Sequence, residues 1–307
     1  MEYAIEANHL VKHYGRFTAL NDLSIHVPVG KVYGFLGKNG SGKTTTIRII
    51  MGLVKAERGN VKIFGADINK DRHKAIQNIG AIVETPGSYE NLSAAENLMI
   101  SARMHKAPKT RVNEVLELVG LSDVRDKKVR KFSLGMKQRL GIANSLIHSP
   151  KIIILDEPTN GLDPEGIIEM RKLIRNLSES FGISVLISSH LLSEVELIAD
   201  YIGIVHCGKL LQETEVNSTN VDDQSYVLLE TNKINETIEI IKLMKLPFET
   251  ERNALKVFCK KSENGNINAQ LINKGISVYN LSSTAKTLEE KFLSLTGENK
   301  YPKEACI

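Results

Sequence analysis

The run Gly37-Lys38-Asn39-Gly40-Ser41-Gly42-Lys43-Thr44-Thr45 has residue types and spacing that suit a nucleotide phosphate tail. Its glycines reach backbone angles closed to other residues, so amides can crowd around phosphate oxygens. Lys43 supplies a cation that reaches the β- and γ-phosphates, and the Thr44 hydroxyl supplies a ligand for Mg²⁺. The flanks supply the placement. Val32 to Leu36 reads as a buried strand and Thr46 to Met51 as a helix. The loop therefore delivers an anion to the free N–H groups and positive dipole end of a helix. A phosphate loop of this kind predicts ATP or GTP as ligand.

A second group completes the chemistry. Ile152-Ile153-Ile154-Leu155 is an apolar strand ending in Asp156 and Glu157, just before Pro158. Asp156, beside the phosphate loop, is placed to hold Mg²⁺ directly or through water. Glu157 is the candidate to polarise an attacking water. That role needs a carboxylate in line with the γ-phosphate while metal and lysine neutralise charge. The phosphate loop alone leaves kinases, GTPases and ATPases open.

The elements that must position these residues are legible from periodicity. Residues 1 to about 27 alternate as two antiparallel strands around Tyr14-Gly15. Strand-like segments recur at 61–64, 79–84, 151–155, 183–189 and 201–206, several as continuous β-branched runs of the sort buried on both faces. Between them, Val112, Val115, Leu116 and Val119 repeat at helical spacing and stop at Gly120. Met170, Leu173, Ile174 and Leu177 do the same after Asp163-Pro164, a cap followed by a first-turn proline. Ser93-Ala94-Ala95-Glu96 reads as a capping box. Strands alternating with helices predict an α/β fold with a mainly parallel sheet.

The texture changes near residue 214. Residues 214–224 are polar and aperiodic, which reads as a linker. Beyond it a strand is expected at 225–231, a helix at 235–245, a hairpin over 248–260, a helix at 266–274, a strand at 276–281 and a last helix at 287–296. That order is compatible with a small ferredoxin-like sandwich and carries no catalytic constellation. The expected organisation is a nucleotide-binding domain over 1–213, a linker over 214–224 and an accessory α+β domain over 225–307.

Composition narrows the class. The 307 residues suffice for about two domains, and 42% apolar content is that of a globular chain. A net charge of +4, no tryptophan and few aromatics argue against a nucleic-acid partner. The basic cluster Lys127, Lys128, Arg130 and Lys131 reads as a solvated loop, with contact to a partner or a lipid headgroup as the alternative. Cys207, Cys259 and Cys306 show neither metal-ligand nor disulfide spacing and read as bystanders. The N-terminus lacks the features of a signal peptide, and no apolar segment is long enough to cross a bilayer. Any membrane crossing is expected of another chain.

Three further motifs carry a resemblance. Ser133-Leu134-Gly135-Met136-Lys137-Gln138-Arg139 resembles the signature motif of ABC-transporter ATPases. Asn160-Gly161-Leu162-Asp163 looks like their D-loop, and His190 in Ser188-Ser189-His190 like their switch histidine. Tyr14 matches the aromatic residue that stacks on adenine. Order and spacing agree from residue 1 to about 213. The resemblance implies a P-loop ABC ATPase fold with a mainly parallel core sheet, an antiparallel β subdomain and a helical subdomain. It implies ATP and Mg²⁺ as ligands, Glu157 as base and His190 on the γ-phosphate.

It also implies partners. Ser133 and the Gly135 amide open a helix and so form a second anion-binding end. In the family, that end (Ser133, Leu134, Gly135, Met136), with Asp163 of the D-loop, faces ATP held by the other subunit. With one phosphate loop in the chain, a head-to-tail homodimer is the simpler arrangement. Its closing and opening would drive an integral membrane permease contacting the region of Tyr89 and Leu92. The chain would then sit at the cytoplasmic face of the cell membrane.

Two departures narrow the subfamily. Leu134 and Met136 replace the glycine and glutamine of the common signature, while Ser133 and Gly135 are kept, so activity with weaker closure is expected. Glu84 stands where the family usually has a glutamine that touches Mg²⁺ and the attacking water. Glutamate keeps an oxygen ligand and adds negative charge. With the chain length, these features resemble the ATPases of bacitracin- and lantibiotic-type peptide-antibiotic export and immunity. The alternatives are an ABC-2-type exporter ATPase of other substrate, an antibiotic-sensing complex, or a soluble ATP switch acting on ribosome or DNA.

Overall fold

The β-branched runs that read as doubly buried strands form the centre of a six-stranded sheet. In a computed structural model, residues 2–83, 87–216, 225–251, 254–259 and 261–285 are described. They fall into two compact units, one up to residue 216 and one from residue 225.

The core sheet of the first unit holds β3 (Val32–Leu36), β6 (Ile79–Ile82), β7 (Ile152–Asp156), β8 (Ser184–Ser189), β9 (Tyr201–His206) and β10 (Lys209–Glu215), in the order β10-β9-β3-β8-β7-β6. All neighbours pair in parallel except β9 with β10. Every residue of β3, β7 and β8 is buried, as expected of parallel strands covered on both faces. A second, antiparallel sheet has the order β2-β1-β4-β5, from β1 (Tyr3–Tyr14), β2 (Phe17–Pro28), β4 (Arg58–Ile63) and β5 (Ala66–Asp67). Leu10, Leu20, Leu23 and Ile25 from this sheet share one apolar core with Tyr33, Phe35 and Ile47.

The helices follow their sequence signals. α1 (Lys43–Ile50) opens directly from the glycine loop, and α2 (Arg72–Ile76) is one short turn pair before β6. α3 (Ala94–Met104), α4 (Thr110–Leu118) and α5 (Leu134–Leu146) pack on one another as a helical layer. Ser93 and Glu96 form the reciprocal capping box on α3, and Gly120 takes φ 66° just beyond α4. α6 (Pro164–Glu179) buries Met170, Leu173, Ile174 and Leu177, and Asp163 caps it by accepting from the Gly166 amide at 3.0 Å. α7 (Leu192–Val195) is a single turn after β8. No helix among the described residues is long and apolar enough to cross a membrane.

The second unit runs β11 (Ser225–Thr231), α8 (Ile234–Leu243), β12 (Phe248–Glu251), β13 (Ala254–Phe258), α9 (Asn264–Asn273) and β14 (Val278–Ala285). Its sheet order, β12-β13-β11-β14 with all pairs antiparallel, is that of a ferredoxin-like sandwich. Val227, Leu229, Ile241, Leu255, Val257, Ile267 and Leu271 form its own core. The last expected helix, 287–296, lies outside the described residues.

Two readings change. β10 was not expected as a strand: its alternation is polar, and it is held by pairing with β9 over Lys209 to Glu215, running into the stretch read as linker. β6 ends at Ile82 rather than 84. Cys259 is free and buried, and Cys306 lies outside the described residues.

Candidate active site

The phosphate loop bridges β3 and α1, and its glycines are there for room. A Cβ on Gly37 would collide with Ser41 Oγ and the Val205 carbonyl. Gly42 holds φ 109°, and a Cβ there would lie 2.8 Å from the Ala19 carbonyl. Gly40 holds φ 79°. Gly42 caps α1 with no side-chain hydrogen bond and no acidic residue follows in the first turn, so the positive helix end is left for an external anion. Ser41 Oγ, buried within the loop, has no hydrogen-bond partner among the described residues.

Lys43 is buried, with Nζ 2.7 Å from the Gly37 carbonyl, 3.5 Å from that of Lys38 and 3.3 Å from Oε1 of Glu157. The ammonium is thus paired and hydrogen-bonded, the condition under which a buried charge is tolerated. Thr44 Oγ1 donates to Asp156 Oδ2 at 3.1 Å. Ser188 Oγ donates to Asp156 Oδ1 at 2.5 Å, because β7 and β8 run in parallel with Asp156 and Ser188 in register. The next residue, Glu157, takes φ 50°, and its amide donates to the Ser188 hydroxyl at 3.0 Å. Glu157 Oε2 then reaches Nδ1 of His190 at 2.7 Å.

Part of this set lines one cleft of about 390 Å³, while Gly37, Asp156 and Ser188 lie behind its lining. Asn39, Gly40, Gly42, Lys43, Thr44, Thr45, Glu157 and His190 meet there, with Lys38 and Ser41 inside the same loop. Phe17 and Ala19 line it too and were not among the sequence candidates, and Asn160, the first residue of the D-loop-like stretch, joins them. Phe17 pairs with Tyr14 across the β1–β2 turn, so its place was readable from the hairpin register. Tyr14 itself does not line the cleft; it is 46% exposed, with Lys12 Nζ 5.4 Å from its ring centre.

The signature residues stand apart. Ser133 caps α5, its hydroxyl accepting from the Met136 amide at 3.2 Å, and Leu134 is 43% exposed. Leu134 packs beside Gly161, while Asp163 spends its carboxylate on the α6 cap. None of Ser133, Leu134, Gly135, Met136 and Asp163 lines the cleft. Glu84 lies outside the described residues.

A profile of the ABC transporter family matches residues 20–160. A bacitracin transport ATP-binding protein of Bacillus licheniformis is 42% identical over 306 residues, spanning 97% of this chain and 98% of the relative. The chain belongs to the ABC transporter family. A lantibiotic transport ATP-binding protein of Streptococcus pyogenes is 44% identical over 220 residues, 71% of this chain and 94% of that one. Among solved structures, cbiO1 from Clostridium perfringens, part of the ABC transporter complex cbiONQ, matches with a TM-score of 0.66 at 26% identity, covering 80% of this chain and 95% of that one.

This ABC subunit binds ATP with Mg²⁺ and hydrolyses it. The residues fit both ligands. The open glycine cradle, the uncapped helix end and Lys43 suit a polyphosphate. Thr44 and Asp156 present hard oxygen donors side by side, as Mg²⁺ requires, and the bound ion would neutralise charge on the phosphates.

Proposed function

We propose that ATP turnover by this chain drives a separate membrane subunit that exports or removes a peptide antibiotic of the bacitracin or lantibiotic type. The observation that carries the reading is the extent of the match to the bacitracin transport subunit, which includes the C-terminal unit as well as the cassette. The lantibiotic relative matches over 220 residues, about the length of the cassette.

In this reading Gly37 to Thr45 hold the phosphates, Thr44 and Asp156 hold Mg²⁺, and Glu84 adds an oxygen ligand on sequence grounds. Glu157 polarises the attacking water and His190 contacts the γ-phosphate. The placement of Ser133, Leu134, Gly135, Met136 and Asp163 away from their own cleft supports a head-to-tail pair, in which they complete the partner copy's site. Tyr14 retains its sequence assignment to adenine, and Phe17 joins it on geometric grounds. The cassette over 1–213 does this work, and residues 225–307, after the linker, form an accessory unit.

The membrane subunit is assigned to the region of Tyr89 and Leu92. Tyr89 is 64% exposed, and Asn97 clamps its backbone from both sides, accepting from its amide at 2.8 Å and donating to its carbonyl at 3.1 Å. Beside it, Met104 and Lys137 line a groove of about 140 Å³. Leu92 is half-buried, and its carbonyl accepts from the Val129 amide. Such a partner would hold the chain at the cytoplasmic face of the membrane.

The test is susceptibility to bacitracin and several lantibiotics in cells expressing this chain with its cognate membrane subunit. Protection that disappears with Glu157→Gln is expected. Absence of protection against every peptide, with an assembled and hydrolysing complex, would refute the substrate class.

A further inference from the structure

Glu194 is a buried carboxylate that the chemistry of the cleft has not yet used. It is 8% exposed and lies on α7, the turn that follows His190. Its hydrogen-bond partner is the hydroxyl of Thr159, which donates to Oε2. Thr159 lies two residues beyond Glu157, and Glu194 four beyond His190. One side-chain pair therefore ties together the two loops that carry the carboxylate and the imidazole facing the nucleotide cleft.

Both ends of the tie are anchored. Val195, next to Glu194, packs on β3 so closely that a Cβ on Gly34 would collide with it. The Ser189 hydroxyl accepts from the Leu191 amide at 3.0 Å and fixes the start of the same segment. On the other side, Thr159 belongs to a run of turns in which the Asn160 amide donates to the Glu157 carbonyl and the Leu162 amide to the Thr159 carbonyl. Glu157 holds a left-handed φ of 50°, a conformation that non-glycine residues keep only where surroundings over-determine it. The Thr159–Glu194 bond is such a constraint.

We infer that Glu194, acting through Thr159, is a positioning residue for ATP hydrolysis. It touches no reacting group. It holds the Glu157 loop against the His190 loop, so that the 2.7 Å contact between Glu157 and His190 persists while nucleotide enters. The inference rests on the reading of Glu157 as the water-polarising carboxylate. A misplacement of about 1 Å at such a group costs on the order of 10²-fold in rate, so a partly loosened loop should lose roughly tenfold.

The experiment is steady-state phosphate release by the full-length chain and its Thr159→Val, Thr159→Ser and Glu194→Ala variants and the Thr159→Val/Glu194→Ala double. Thr159→Val and Glu194→Ala are each expected to lower kcat roughly tenfold while KM for ATP stays within about twofold, with Thr159→Ser close to wild type. The double variant should be no slower than the slower single, because both remove one interaction. Unchanged kcat in the singles, multiplicative losses in the double, or no rescue by serine would overturn the inference. So would a fall in nucleotide-binding stoichiometry, titrated with a fluorescent ATP analogue, that accounts for the whole loss. Glu157→Gln is measured alongside: full turnover there removes the underlying reading, whereas its inactivity with normal Thr159→Val overturns the positioning role alone.

Discussion

Nδ1 of His190 lies 2.7 Å from Oε2 of Glu157, on the side opposite Lys43, whose Nζ is 3.3 Å from Oε1. The carboxylate is thus bracketed by an imidazole and an ammonium, and both of its oxygens are oriented. In the proposed role of Glu157 as base, a carboxylate held in this way keeps its geometry without reorganising during the reaction, which is where enzymes gain most.

Replacing Glu157 by glutamine keeps size and hydrogen bonding but removes the basic oxygen. Turnover should fall by about 10²- to 10⁴-fold, the usual contribution of a general base, while ATP still binds. Phosphate release and nucleotide titration on the same preparation check both halves. His190→Ala should fall as well, with a smaller loss of ATP binding than Lys43→Ala.

How much of this was legible beforehand follows from the range of each signal. The glycine loop, the Asp156-Glu157 pair and the caps at Ser93, Ser133 and Asp163 are local, and local chemistry fixes them. The parallel core strands were readable because burial on both faces leaves an uninterrupted apolar run. β10 was not, since a polar edge strand owes its existence to the pairing offered by β9. The Asp156–Ser188 and Thr159–Glu194 contacts join residues more than thirty positions apart; the register of β7 and β8 brings the first pair together, and the second lies in the segments that follow those two strands. Phe17 escaped notice because Tyr14 drew the aromatic assignment, although the turn places them opposite each other.

The Thr44–Asp156 contact makes a prediction about metal. Asp156 is buried and already receives Thr44 and Ser188, so its carboxylate is oriented before any ion arrives. Asp156→Asn should raise the free Mg²⁺ needed for half-maximal ATPase activity by at least roughly tenfold, and Ser188→Ala should give a smaller shift in the same direction, as outer-shell changes do. Activity titrated against free Mg²⁺ at saturating ATP checks it. Equal Mg²⁺ requirements in wild type and Asp156→Asn would remove Asp156 from the metal site.

Gly42 offers a steric test of the cradle. At φ 109°, alanine is strained by about 1–3 kcal/mol, and its Cβ would meet the Ala19 carbonyl and a Leu20 methyl, each at 2.8 Å. Gly42→Ala should therefore lose ATP affinity and also lower the thermal midpoint by several degrees. Gly15→Ala serves as the comparison, because φ there is 60° and nothing lies within 4 Å of the new methyl. Its midpoint should fall less, with ATP binding unchanged.

The last prediction concerns acid stability. His148 stacks on His105 with ring centres 4.7 Å apart, and its Nε2 lies 2.9 Å from the Ile79 carbonyl. Burial pushes its pKa below the ordinary histidine value, His105 adds to that, and the Ile79 bond opposes them. The unfolded chain then takes up this proton more readily than the folded one. Stability from the neutral imidazole is complete above the unfolded pKa near ~6.5 and is lost as pH falls from there through the lower folded value. His148→Gln keeps a donor for the Ile79 carbonyl and removes the titration. The wild-type melting midpoint should drop more steeply than that of His148→Gln between pH 7 and 5.5, while the two curves run parallel above neutrality. Parallel curves over the whole range would show that burial of His148 contributes nothing to the acid sensitivity of the cassette.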